Sequence, residues 1–350
     1  MVIAAHVSWE YDPDNPLLTS LRIIAERNPG DRVILFSPEI IPAIENIIVD
    51  GSVPDQRDSL RMRYWYRYKL TRLLKKYKAD SFISDAGMLG MKVGIPQFLF
   101  FADQSFEERK GFVFGKNLPA SLAKAKAVFV TEDFIARILT EKHRVAADKI
   151  KTVYHGLDED EREPVATAEM IRAKFTDGND YFLYPVNPTS APNCVLLLKA
   201  FSQLKKRQKT SMKIVLLHSG MDEEGLVPDF KNYRYRDDVK IISTEEKNAQ
   251  LLTAHAYGLI WLSDYFPGNE AFRAMQHKVP LIAEDNETNK SLFGNAALFS
   301  ALSQNELADK MQLLYKDELL KKSVSDHAPG WLLKYDAMKA ADALLNGISA

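Results

Sequence analysis

Short apolar runs separated by amphipathic segments recur twice along this chain, and this double alternation constrains its fold more than any other feature. In the first half the runs are Val2-Ile3-Ala4-Ala5, Val33-Ile34-Leu35-Phe36, Ser81-Phe82-Ile83-Ser84, Gln97 to Phe101 and Ala127-Val128-Phe129-Val130, with Val153-Tyr154 as the last. Leu17 to Glu26 has helical spacing between the first two. Strand, helix, strand at this spacing predicts a parallel sheet covered on both faces. Near residue 157 the composition changes to LDEDEREP, Leu157 to Pro164, which reads as an exposed acidic linker. A second alternation then begins, with strands expected at Tyr181 to Tyr184, Lys213 to Leu217, Val239 to Ile242, Gly258 to Leu262 and Val279 to Ala283. Helices are expected over Cys194 to Gln208 and Glu246 to His255, and a last amphipathic segment, Trp331 to Leu345, has no strand after it. A chain of 350 residues suits two such domains better than one core.

Within the second half, Ser263 to Ala283 places a glycine-containing loop, Tyr265-Phe266-Pro267-Gly268-Asn269, just before a helix beginning near Glu270. The unpaired N–H groups and positive dipole end of such a helix suit a phosphate. Lys+Arg at 46 against Asp+Glu at 47 leaves a net charge of -1, which offers no global field for nucleic acid. The single Cys194 excludes an intrachain disulfide framework and fits a reducing compartment. No secretory leader, membrane-length apolar run, HxxH or CxxC metal spacing, or G-x-S-x-G nucleophile motif is expected from the residues.

The segment from Ser263 resembles the nucleotide-sugar motif of family 4 glycosyltransferases, usually written S-x-Y-E-G-F-G-L-P-x-L-E-A-M-A-x-G-x-P-V-I-A. Other segments are similar to the same family in order and spacing. Lys149 to Asp158 resembles K-I-x-V-I-x-N-G-V-D. Val130-Thr131-Glu132-Asp133-Phe134 resembles V-S-E-F. Asn193 to Leu204 resembles N-x-x-x-L-L-x-A-F-x-x-L, and Gly294 to Phe299 resembles G-D-A-A-L-L. The likeness runs from about residue 80 to residue 320. It implies an α/β protein of the GT-B fold, two Rossmann-like doubly wound parallel-sheet domains with an interdomain cleft. Residues 1–160 would form the acceptor-side domain, with a C-terminal helix over 331–350 packing back on it. Residues 161–330 would bind the nucleotide sugar.

The resemblance further implies a retaining, metal-independent, cytoplasmic bacterial hexosyltransferase of polysaccharide biosynthesis. It would move a sugar from a nucleotide-diphosphate donor to a glycan or lipid-linked acceptor, with no other cofactor. The catalytic residues it implies are Asp103, after the fourth strand, and Glu270. Its donor-binding residues are Asn187, His218, Ser219, Gly220, Tyr265, Phe266, Pro267, Gly268, Asn269 and Arg273. Several positions depart from the family. Its paired glutamates fall on Tyr265 and Arg273, or on Asp264 and Arg273 with a gap. Its Arg and Lys fall on Asn187 and Pro192, and its His-Asp pair becomes Ala102-Asp103. A cationic Arg273 cannot accept hydrogen bonds from sugar hydroxyls, but a guanidinium can neutralise a phosphate. A catalytically inactive GT-B module that binds a ligand or partner is the alternative. Glu270 is equally an acidic residue favoured in a first helical turn, Asp103 equally a turn cap, and His218 equally a structural histidine.

Arg57 to Lys78 carries nine Lys or Arg and one acid, Asp58. Met62, Tyr66, Leu70, Leu73, Leu74 and Tyr77 fall on one helical face, with Tyr64, Trp65 and Tyr68 on its flanks. Such a helix either lies peripherally on an anionic membrane or presents an ordinary solvated basic face.

Overall fold

The structure, a computed structural model, describes residues 1–7, 15–37, 46–54, 59–102, 106, 112–154, 156, 166–186, 190–220, 226–227, 230–263 and 268–350. The chain divides into two compact units, Met1–Glu159 with Tyr335–Ala350, and Asp160–Lys334.

Unit 1 is built on seven parallel strands: β1 (Val2–His6), β2 (Arg32–Phe36), β3 (Ile47–Asp50), β4 (Ser81–Ser84), β5 (Gln97–Phe101), β6 (Ala127–Val130) and β7 (Ile150–Thr152). Their order is β3-β2-β1-β4-β5-β6-β7. The central strands are apolar on both faces because both faces are covered. Val2, Ala4, Ile34, Phe36, Phe82 and Leu99 join one core, and Ile3, Ala5, Leu35, Ile83, Phe98 and Phe129 join the other. The helices are α1 (Pro16–Arg27), α2 (Ser59–Tyr64), α3 (Leu70–Tyr77), α4 (Phe112–Lys124) and α5 (Asp133–Glu141). Asn15 starts α1 by accepting from the N–H groups of Leu17 and Leu18, and Pro16 stands where a helix needs no donor.

The basic segment departs from the expected regular helix. Between α2 and α3 lies a π-helical turn, Trp65–Lys69, in which the Leu70 N–H donates to the Trp65 carbonyl. The wider turn accommodates one more residue and rotates the flank inward. Trp65 and Tyr66 are therefore both buried, at 1% and 3% exposure, whereas Tyr64 and Tyr68 stay outside.

Unit 2 has six parallel strands: β8 (Tyr181–Val186), β9 (Lys213–His218), β10 (Val239–Ser243), β11 (Gly258–Trp261), β12 (Leu281–Glu284) and β13 (Ala297–Ser300), in the order β10-β9-β8-β11-β12-β13. Its helices are α6 (Ala168–Phe175), α7 (Cys194–Gln208), α8 (Leu251–Ala254), α9 (Gly268–Gln276), α10 (Glu287–Phe293), α11 (Gln304–Lys316) and α12 (Glu318–Leu332). The helix expected from Glu246 is reduced to α8, because Asn248 adopts φ 73°, a left-handed conformation that cannot continue a right-handed helix.

The closing segment also differs from its expected start at Trp331. That residue stays in unit 2, where its indole donates to the Leu292 carbonyl at 2.6 Å. A side chain at Gly294 would meet the Trp331 ring at 2.4 Å, so the close approach requires glycine. The chain rejoins unit 1 at Tyr335. There α13 (Ala337–Ser349) places Ala340, Ala341, Leu344 and Ile348 in the core that contains Phe129. The acidic segment 157–164 lies outside the described residues.

Candidate functional site

In unit 2 the chain runs from β8 outward to β9 and β10, then returns to the other side of β8 for β11, β12 and β13. The connections leaving the C-terminal ends of β8 and β11 diverge there, and such switch points form the ligand crevice of open α/β sheets. Around this point stand Val186, the turn after β9, the residues after Trp261 and the start of α9.

Two asparagines hold the chain that leaves β11. Asn193 donates to the Leu262 carbonyl at 2.9 Å. Asn289 is wholly buried and donates to the Ser263 carbonyl at 2.9 Å and to the Glu284 carbonyl at 3.0 Å, tying the ends of β11 and β12 together. Sequence reasoning noticed Asn193 only as part of a helix motif and missed Asn289, since a lone asparagine in a polar run gives no signal of such a role.

The helix expected near Glu270 begins at Gly268. Ala271, Phe272, Ala274 and Met275 are buried, which leaves Glu270 and Arg273, three residues apart, on the half-buried side. Each is engaged with a neighbour. Arg273 is the one basic residue of α9. Two strands over, His218 ends β9, opposite Val186 and Ser243. Its carbonyl accepts from the Thr244 N–H at 2.8 Å, while its Nδ1 is buried without a partner among the described residues. Ser219 and Gly220 follow as an exposed turn, with Gly220 at φ 66° and open space where a side chain would begin. On the opposite face of the sheet, the indole N–H of Trp261 is also buried without a partner among the described residues. Asp103, Asn187, Tyr265, Phe266 and Pro267 lie outside the described residues. The structure thus brings His218, Ser219 and Gly220 to the same sheet edge as Gly268 and Glu270 at the start of α9, while Arg273 lies in the last turn of that helix.

Unit 1 has its own switch point, between β1 and β4. His6 ends β1 opposite Ser84 at the end of β4. Its Nδ1 lies 2.5 Å from the Tyr66 hydroxyl, which lies 3.0 Å from Ser84 Oγ. Ser84 Oγ in turn accepts from the Ala86 N–H at 3.2 Å. Trp65 packs on the His6 ring at 5.4 Å between centroids. Burial holds the imidazole pKa down at about 3, so the ring is neutral. Sequence reading placed Tyr66 with the apolar face. At the far end of the sheet, beyond β7, burial and a hydrogen bond to Asp133 push the Tyr154 hydroxyl up to about 12. Among the described residues no group of three or more His, Cys, Asp or Glu is arranged to hold a metal ion, and no helix is long and apolar enough to cross a membrane.

No family model matches the chain, and no curated protein matches it in sequence. Solved structures do match. The chain is similar to HepE of Anabaena in complex with UDP, with a TM-score of 0.76 and 14% identity over 99% of each chain. It is similar to a glycosyltransferase of Rickettsia africae, with a TM-score of 0.72 and 14% identity over 99% of this chain and 97% of that one. It is also similar to sucrose-phosphate synthase of Thermosynechococcus elongatus, with a TM-score of 0.75 and 14% identity over 99% of this chain and 97% of that one. Likeness at this identity is likeness of fold. Two parallel-sheet α/β units with these neighbours give the chain the GT-B fold.

Proposed function

We propose that this protein is a glycosyltransferase that takes a sugar from a nucleotide diphosphate, with UDP as the first donor nucleotide to test, and passes it to an acceptor hydroxyl. The observation that carries this reading is the likeness, over nearly the whole of both chains, to a protein whose structure holds UDP. The edge of unit 2 is consistent with it. The first N–H groups of α9 suit a diphosphate, and Gly268 allows the backbone to come close. Arg273 supplies the positive charge that Asn187 and Pro192 cannot, and Glu270 hydrogen-bonds sugar hydroxyls. Asn187, His218, Ser219, Gly220 and the loop residues Tyr265, Phe266, Pro267 and Asn269 complete the donor side, with Asp103 as the catalytic carboxylate toward the acceptor. Transfer with retention and without a metal belongs to the same reading.

The acceptor is a glycan or a lipid-linked sugar in this reading. The exposed Leu60, Tyr64, Tyr68 and Met91, with Arg67 at 5.5 Å and Lys92 at 5.3 Å from the Tyr68 ring centroid, give unit 1 an apolar and basic face suited to anionic lipid. Co-sedimentation with phosphatidylglycerol vesicles but not phosphatidylcholine vesicles is expected. Equal recovery in the supernatant with both would remove the membrane contact.

A binding module without activity is the second reading, favoured by the residues Tyr265 and Arg273 where the family carries its paired glutamates. Calorimetry with UDP followed by a UDP-glucose hydrolysis assay separates the two. Binding with sugar release fits the enzyme, binding without turnover of any tested donor fits the module, and absence of nucleotide binding contradicts both uses of α9.

A further inference from the structure

Of the two switch points, the one in unit 1 holds the group with the least explained surroundings. His6 is fully buried, yet its Nε2 has no hydrogen-bond partner among the described residues. A neutral imidazole carries one donor and one acceptor nitrogen, so whichever role Nδ1 takes toward Tyr66, Nε2 is left with the other role unfilled. Buried polar groups are rarely left so, and an orphan usually marks an absent partner.

The surroundings are built for this ring. The π-helical turn at Trp65–Lys69 carries both Trp65, which packs on the imidazole, and Tyr66, whose hydroxyl meets Nδ1. Such turns occur often at functional sites. The last position of β1, at the C-terminal edge of the sheet and beside the switch point, is where ligands meet folds of this kind.

We propose that His6 Nε2 is a hydrogen-bonding contact for a hydroxyl group of a neutral sugar, with Tyr66 and Ser84 as positioning residues that orient the ring and set its tautomer. The contact itself follows from the orphaned nitrogen; its assignment to a sugar rests on the glycosyl-transfer reading. A hydroxyl is the partner that fits. If Tyr66 donates to Nδ1, Nε2 is a donor. If Nδ1 donates to Tyr66, and Tyr66 donates on to Ser84, Nε2 is an acceptor. A hydroxyl satisfies both arrangements, whereas a phosphodiester only accepts and an ammonium only donates. Charge points the same way. The His6 ring, held neutral by burial, carries no positive charge to hold an anion.

Selective ¹⁵N labelling of the seven histidines in the full chain reads this contact directly. The probes are the methyl glycosides of glucose, galactose, mannose and N-acetylglucosamine, with inorganic phosphate as the control. At least one glycoside is expected to move the His6 Nε2 resonance saturably. Its affinity is expected to fall about tenfold or more in His6→Phe and less in His6→Gln, which keeps a polar terminus. In Tyr66→Phe the ¹⁵N shifts should report an altered tautomer ratio together with weaker glycoside binding. Near-UV circular dichroism checks that each variant is folded, and His6→Gln stands in if His6→Phe is not. No movement of Nε2 with any glycoside, equal affinity in wild type and a folded His6 variant, or saturable movement by phosphate would each overturn the proposal. UDP titrated into the same samples reports on unit 2 separately. Glycoside binding without UDP binding would leave the His6 contact standing and remove the glycosyl-transfer reading, and the reverse result would do the opposite.

Discussion

The two units carry the same device, a parallel sheet with a switch point beside its first strand, and fill it in opposite ways. In unit 1 the C-terminal edge of β1 is packed with large side chains, and His6, Trp65, Tyr66 and Ser84 are all buried. In unit 2 the corresponding edge offers small and open groups, with Ser219 and Gly220 exposed and α9 beginning on a glycine. One edge presents a side chain held rigidly by its neighbours, and the other presents backbone. The contrast predicts where substitutions act, on stability for the buried supports of His6 in the first case and on turnover or nucleotide affinity around α9 in the second.

Trp65→Ala tests the packed edge most severely. Loss of a fully buried indole should cost about 3–5 kcal/mol in urea unfolding, and a cost under about 1 kcal/mol would show that the cluster is not load-sharing with the core. Arg273→Ala tests the open edge. It should lower sugar transfer roughly a hundredfold, the scale of removing one preorganised electrostatic group, with little change in the melting temperature. Unchanged turnover would move the diphosphate charge elsewhere.

The pH dependence of stability distinguishes the two edges again. The folded-state pKa of His6, about 3, lies below the ordinary 6.5. The unfolded chain therefore takes up the proton first. The contribution is complete above pH 6.5 and is lost as pH falls from there toward about 3. The slope is at most about 1.4 kcal/mol per pH unit. Urea unfolding between pH 7.5 and pH 5, above the range of ordinary carboxylates, should show this slope in wild type and lack it in His6→Phe. Identical pH profiles would contradict a neutral buried imidazole. The smallest effect expected is that of Gly220→Ala. The left-handed backbone there should cost about 1–2 kcal/mol, with no added clash because the space is open. A larger loss would mean that the turn is packed after all.

These outcomes also explain what the sequence made legible. Strands covered on both faces are written as continuous apolar runs, so most of the two sheets was readable, although β3, with Ile48 exposed, and β13 were not among the expected strands, and the last strand of unit 1 is Ile150–Thr152 rather than Val153-Tyr154. Trp65 was misplaced because a helical wheel assumes one period and a wide turn departs from it, while Tyr66, Leu70, Leu73 and Leu74 keep the expected buried face. The helix expected from Glu246 shrank because its apolar spacing says nothing of the left-handed Asn248. The segment around Gly268 was legible as a glycine before an amphipathic helix. Its supports were not, since Asn289 acts through carbonyls twenty-six and five residues away in sequence. His6 was least legible of all, because its meaning comes from a hydroxyl sixty residues along the chain.

The account rests above all on unit 2 receiving a nucleotide diphosphate at the start of α9, and calorimetric titration of UDP into wild type and Gly268→Val measures that most directly. Binding to wild type, with affinity lost in the folded valine variant because its side chain blocks the backbone's approach to phosphate, is the predicted result. Equal affinity in the two proteins, or no binding to wild type, would contradict it.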